Sequence, residues 1–74
     1  MDTEKKTDRR VRRTKLLLTN ALVSLLETKT QKDISVKELC DKADINRGTF
    51  YLHYKDIYDM MNQIETDILN QLVV

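Results

Sequence analysis

Apolar residues recur at helical spacing in three windows along the chain, and polar residues with capping chemistry stand between them. In the first window Leu18, Ala21, Leu22 and Leu25 fall at i, i+3, i+4 and i+7, with Leu17 and Leu26 widening the stripe. This predicts a helix from about Asp8 to about Lys29. In the second, Val36, Leu39, Cys40 and Ala43 repeat the same spacing behind Ser35, a candidate N-cap whose partner Glu38 stands three residues on and can reach back to the Ser35 backbone N–H. In the third, Ile57, Met60, Met61, Ile64, Ile68 and Leu72 continue at threes and fours, behind Asp56 as N-cap and with Asp59 in the first turn. Between the second and third windows lies a turn, Ala43-Asp44-Ile45-Asn46. Asn46 there can cap a short helix from Arg47 to about His53, with Phe50, Tyr51 and Tyr54 supplying apolar surface. Asp44 occupies a position that often needs a left-handed backbone, which Asp is among the few non-glycine residues to tolerate. Thr30 to Ile34 reads as a polar connection.

The predicted fold is therefore all-α, and composition supports it: proline is absent and Gly48 is the single glycine. Seventy-four residues make one small domain with a modest core. The lone Cys40 forms no internal disulfide, and with a single His53 there is no Cys/His cluster for zinc. No metal, no cofactor and a cytoplasmic location are the expectations that follow. No run approaches the roughly 18 apolar residues of a membrane span, and the charged N-terminus is not a secretory signal, so no membrane partner is expected. The net charge of +1 conceals an asymmetry. Residues 1–15 sum to +4, residues 16–55 to +1 and residues 56–74 to −4. A basic front, with Arg9, Arg10, Arg12, Arg13 and Lys15 on the first helix, suits a nucleic-acid contact at one pole. Placed in the first turns, these cations oppose the helix dipole, a conflict that a nearby phosphate backbone would remove.

Residues 35–56, SVKELCDKADINRGTFYLHYKD, carry the outline of a helix-turn-helix: two short helices joined by a tight turn, the second rich in polar and aromatic donors. Residues 18–61 further resemble the N-terminal DNA-binding domain of the tetracycline-repressor (TetR) family of transcriptional regulators. The runs that carry the resemblance are LLLTNALVSLL in the first helix, then ISVKELCDKADINRGTFYLHYKDIYDMM, with GTFYLHYKD its most specific part. The resemblance implies a three-helix homeodomain-like bundle whose third helix enters the DNA major groove, followed by the start of a longer fourth helix. It also implies a C-terminal ligand-binding and dimerisation domain outside these residues, hence a homodimer for the full-length protein. A small-molecule effector of unknown identity and repressor function are the family default. The expected organisation is a loose arm over 1–7, the DNA-binding domain over 8–56, and the first part of the fourth helix over 57–74. That helix reaches Leu72-Val73-Val74 with no stop signal, as if cut.

On the recognition helix, Arg47 is the best candidate for a base contact, because its fork matches guanine O6 and N7. Gly48 lets backbone approach DNA. Thr49 can bond a phosphate or a base. Tyr51 offers its hydroxyl to phosphate or its ring to a thymine methyl, Leu52 an apolar contact, and His53 a phosphate contact. Lys37, in the first turn of the second helix, and Lys55, just before the fourth, are further phosphate candidates. The resemblance implies a phosphate-binding Lys where Ile57 stands, and Lys55 is the nearest substitute. Phe50, Ile45, Cys40 and Leu39 are the expected core, with Met60 and Met61 as core fillers. Nothing supports catalysis: there is no Gly-rich phosphate loop and no Cys–His pair at useful spacing. The rival to a domain that binds a double-stranded operator is a small helical protein-interaction module that uses the apolar stripe of the fourth helix. Such a module has no use for Arg47, Thr49, Tyr51 and His53 concentrated on one short helix.

Overall fold

Four α-helices follow one another: α1 (Asp2–Leu26), α2 (Val36–Ala43), α3 (Arg47–His53) and α4 (Ile57–Val73), with a 3₁₀ turn, Gln31–Asp33, between α1 and α2. They come from a computed structural model that describes residues 2–73, and side chains from residue 9 to residue 71. Among the described residues there is no strand, so the fold is all-α. No helix among them is long and apolar enough to cross a membrane.

α1 starts at Asp2, six residues before the position that apolar periodicity indicates. Residues 2–8 contain no Gly or Pro to break a helix, and Glu4, Lys5 and Lys6 are good helix formers, so the helix extends through a stretch that no apolar repeat marks. This earlier start changes the electrostatics. The cations Arg9 to Lys15 lie in the second to fourth turns, and the expected conflict with the dipole does not arise. At the other end α1 stops at Leu26 rather than Lys29. The last turn tightens there: the Glu27 N–H donates to the Ser24 carbonyl (3.3 Å) and that of Thr28 to the Leu25 carbonyl (3.2 Å). The connection expected after it folds into the 3₁₀ turn, held by the Thr30 hydroxyl donating to Asp33 Oδ2 at 3.0 Å.

One core holds the helices together. Leu18, Ala21, Leu22 and Leu25 of α1 meet Leu39 and Cys40 of α2, Phe50 of α3, Tyr54, and Ile57 and Met60 of α4. Phe50, Leu18, Leu22, Leu39 and Met60 are wholly enclosed. Val36, Ala43, Ile45, Met61 and Ile64 pack against this cluster while partly exposed. Two expectations need correction. Leu17 does not widen the buried stripe: it is 41 % exposed, because it lies ~100° around the helix from Leu18. Ile34, assigned to a polar connection, is a core residue.

The caps set where each short helix begins. Ser35 Oγ accepts from the Glu38 N–H at 3.0 Å, the forward half of the expected capping box. The return half is absent, because the Glu38 carboxylate pairs with Lys29, just past the end of α1. α2 ends in a Schellman motif. Asp44 adopts φ 58° and ψ 47°, the left-handed conformation expected of it. The Asp44 N–H donates to the Asp41 carbonyl (3.3 Å) and the Ile45 N–H to the Cys40 carbonyl (2.9 Å). At the start of α4, Asp56 Oδ1 accepts from the Asp59 N–H at 2.8 Å, and Asp59 Oδ2 accepts from the Lys55 N–H at 2.9 Å. Asp59 Oδ2 also accepts from Gln63 Nε2, which in turn donates to the His53 carbonyl (3.2 and 3.3 Å). The carboxylate and amide thus fasten the end of α3 to α4.

Candidate nucleic-acid interface

α3 has only seven residues, about two turns, and is too short to be helical without help. Asn46 starts it, its Oδ1 accepting from the Gly48 N–H at 2.7 Å. Phe50, fully buried, anchors it, with the Tyr51 ring edge-on at 5.3 Å and the Tyr54 ring tilted at 5.5 Å. Because residues advance ~100° each around a helix, anchoring Phe50 inward fixes what points outward. Gly48 and Leu52 form the front, Arg47 and Tyr51 one flank, Thr49 and His53 the other. Exposure follows that order. Leu52 is 80 % exposed and Tyr51 56 %, Arg47 and Gly48 are exposed, and Thr49 and His53 are half-buried. α3 thus shows a leucine that is 80 % exposed beside an exposed arginine and tyrosine.

Gly48 owes nothing to close helix packing. It is exposed, its φ is not positive, and the heavy atom that a Cβ there would meet is Asn46 Oδ1 at 3.1 Å. Its bare backbone faces open space at the front of α3. Lys37 sits exposed on α2 and makes an i,i+4 pair with Asp41 at 3.4 Å. Both side chains are about 70 % exposed, so the pair contributes little and Lys37 can exchange Asp41 for another anion at small cost. Lys55 is exposed between α3 and α4, its backbone tied to Asp59. Ile57 is buried and belongs to the core, so its position offers DNA nothing. Arg47, Gly48, Thr49, Tyr51, Leu52 and His53 therefore share one short element. Lys37 and Lys55 stand on the neighbouring segments before and after it.

α1 adds Val11 and Thr14, which the sequence pattern alone did not single out, beside Arg10 of the basic front. Arg10, Val11 and Thr14 of α1 line a cleft with Thr49, Leu52 and His53 of α3. No local signal marks Thr14, since the cleft arises only where α1 passes α3. Lys15 turns elsewhere, its ammonium over the Tyr54 ring at 5.9 Å from the centroid, a cation–π arrangement. Beneath the surface two groups are shifted. Burial pushes the Tyr54 phenol above its ordinary value, and Asp67 and Asp59 add to this. Burial likewise pushes the Cys40 thiol up, with Asp41 acting in the same sense and Arg47 against it. Both stay protonated at neutral pH, as core residues should.

Over 48 residues the chain is 33 % identical to a protein of Bacillus subtilis (strain 168) named "Uncharacterized HTH-type transcriptional regulator YxbF". That stretch is 65 % of this chain and 13 % of the longer protein, so the chain spans a small part of its relative's length. No protein-family model matches the chain. No solved structure matches it either. What stands is an all-α domain with a distant, partial similarity to a helix-turn-helix transcriptional regulator.

Proposed function

We propose that this chain is the DNA-binding domain of a ligand-responsive transcriptional regulator of the TetR type, with α3 docking in the major groove of double-stranded DNA. The observation that carries the reading is the outward face of α3. Arg47, Gly48, Tyr51 and Leu52 are all exposed on a helix whose pose is fixed by the Asn46 cap and the buried Phe50. Arg47 is the base-reading residue, its guanidinium matched to guanine O6 and N7. Tyr51 and Leu52 supply ring and apolar contact, and Gly48 lets the duplex come close. Thr49, His53, Lys37 and Lys55 meet phosphates, which set register and orientation rather than sequence. Partial similarity to a protein named as a helix-turn-helix regulator supports the same assignment.

In this reading residues 8–56 are the DNA-binding unit. α4 leads toward a ligand-binding and dimerisation domain beyond these residues, the full-length protein acts as a homodimer, and it represses transcription in the cytoplasm. Joining two such units on one duplex raises affinity 100-fold or more through effective concentration, roughly. The isolated domain therefore binds weakly and with little selectivity. The test is selection of duplexes from a random pool by an artificially dimerised domain. A recovered site with two related half-sites supports the reading; enrichment of no sequence at any salt concentration overturns it.

The second reading, a protein-interaction module, draws on one observation. Leu16 and Val23 on α1 and Ile68 and Leu69 on α4 are more than half exposed. A module of that kind binds a partner helix and is indifferent to DNA, which the same selection separates.

A further inference from the structure

The basic residues of α1 do not form one patch. They divide between two faces of the helix. Arg10, with Val11 and Thr14, lines the cleft against Thr49, Leu52 and His53 of α3. Arg12 and Lys15, with Thr19, line a different groove, against Asp67 and Gln71 of α4. Arg10 and Arg12 lie ~160° apart around the helix, which is why neighbours in sequence face different elements.

We infer that the α1–α3 cleft is a seat for one DNA backbone phosphate, held by Arg10 and Thr14 of α1 together with Thr49 and His53 of α3. The inference rests on the reading that α3 enters the major groove. The groove is about 12 Å wide and a helix about 10–12 Å across, so a helix lying in it has a phosphodiester strand along each flank. With Gly48 and Leu52 at the front of α3, the flank that Thr49 and His53 form is the one α1 borders. A phosphate at that flank meets a guanidinium, two hydroxyls and an imidazole from two helices. Val11 and Leu52 give the cleft apolar walls. Arg12 plays no part in this seat. Its groove holds the Asp67 carboxylate, which repels a phosphate.

The test compares Arg10→Ala with Arg12→Ala, a charge-matched control two residues away, by fluorescence anisotropy of the 74-residue chain on a labelled duplex across a salt series. Both side chains are exposed, so circular dichroism of both variants should match the parent. Each phosphate neutralised contributes a slope of about −0.9 in log K against log salt, so losing one weakens binding about tenfold near 50 mM salt and flattens the slope by about 1. That is the result expected of R10A. R12A, facing α4 and screened over roughly 10 Å, stays within about twofold of the parent. Thr14→Val should weaken binding a few-fold, leaving the slope unchanged. Equal weakening by R10A and R12A overturns the seat while leaving DNA binding itself intact. A parent chain that binds no duplex at low salt overturns both.

Discussion

Replacing Gly48 by Ala separates the two things a glycine at this position can do. Its effect on folding follows from two opposed magnitudes. Alanine is favoured over glycine within a helix by about 1 kcal/mol, less in a first turn. Against this, the new Cβ would stand 3.1 Å from Asn46 Oδ1, the atom that accepts the Gly48 N–H at 2.7 Å. The Asn46 side chain must give by a few tenths of an ångström, and the most it can forfeit is the cap itself, about 1 kcal/mol. The two nearly cancel, so urea unfolding of G48A should give a stability within about 1 kcal/mol of the parent. Its effect on DNA is one-sided. A methyl group at a surface that the duplex touches acts as overpacking, costing about 1–3 kcal/mol, or roughly five- to a hundred-fold in affinity. Anisotropy titration of the same sample reads this directly. Asn46→Ala supplies the internal control: with Oδ1 gone, adding G48A should recover up to about 1 kcal/mol of stability and leave binding no better. If G48A binds duplex as tightly as the parent while remaining folded, DNA does not approach this backbone, and the assignment of Gly48 to the interface is wrong.

Other outcomes follow from the same geometry. Phe50→Ala empties a fully buried site under α3 and should cost about 3–5 kcal/mol, enough to abolish the cooperative melt followed by circular dichroism. Asp44→Ala places a side chain that cannot bond locally into the left-handed conformation at φ 58°, and should destabilise by about 1 kcal/mol more than Asp44→Gly in urea titrations. Tyr54 and Cys40 both hold their protons more tightly in the folded chain than in the unfolded one. Their contribution is therefore complete below their ordinary values of 10.0 and 9.0 and is lost as pH rises beyond them. Urea midpoints should fall as pH rises past 9.0 and fall further past 10.0, and Tyr54→Phe should flatten the upper part of the fall. Arg47→Ala, in a dimerised domain, should relax selectivity at one base pair by about 1–3 kcal/mol in competition titrations, and Arg47→Lys should not restore it.

Much of the fold could be read from residue order because it is set locally. The Ser35, Asn46 and Asp56 caps each act within three residues of their targets. The left-handed Asp44 is likewise fixed by the end of its own helix. The split of α3 into buried Phe50 and exposed Tyr51 and Leu52 follows from helical period once one residue is known to face in. What escaped was set by contacts distant in sequence, or by propensity without periodicity. Ile34 is buried, yet no repeating neighbour announces it. Glu38 satisfies only half of a capping box because Lys29, nine residues away, claims its carboxylate. Residues 2–8 are helical without an apolar stripe to mark them. The site divides the same way. Six of the residues proposed for it share one short helix and Arg10 stands in the basic run, whereas Thr14 comes beside them only because α1 passes α3.

Amide chemical-shift mapping of the ¹⁵N-labelled chain during titration with a duplex bears on the α3 interface residue by residue. Docking through α3 predicts shifts concentrated at Lys37, at Asn46 through His53 and at Lys55, with Arg10 and Thr14 moving alongside them and all of them reversing as salt is raised. Shifts confined to Leu16, Val23, Ile68 and Leu69, or none at any salt concentration, would contradict it.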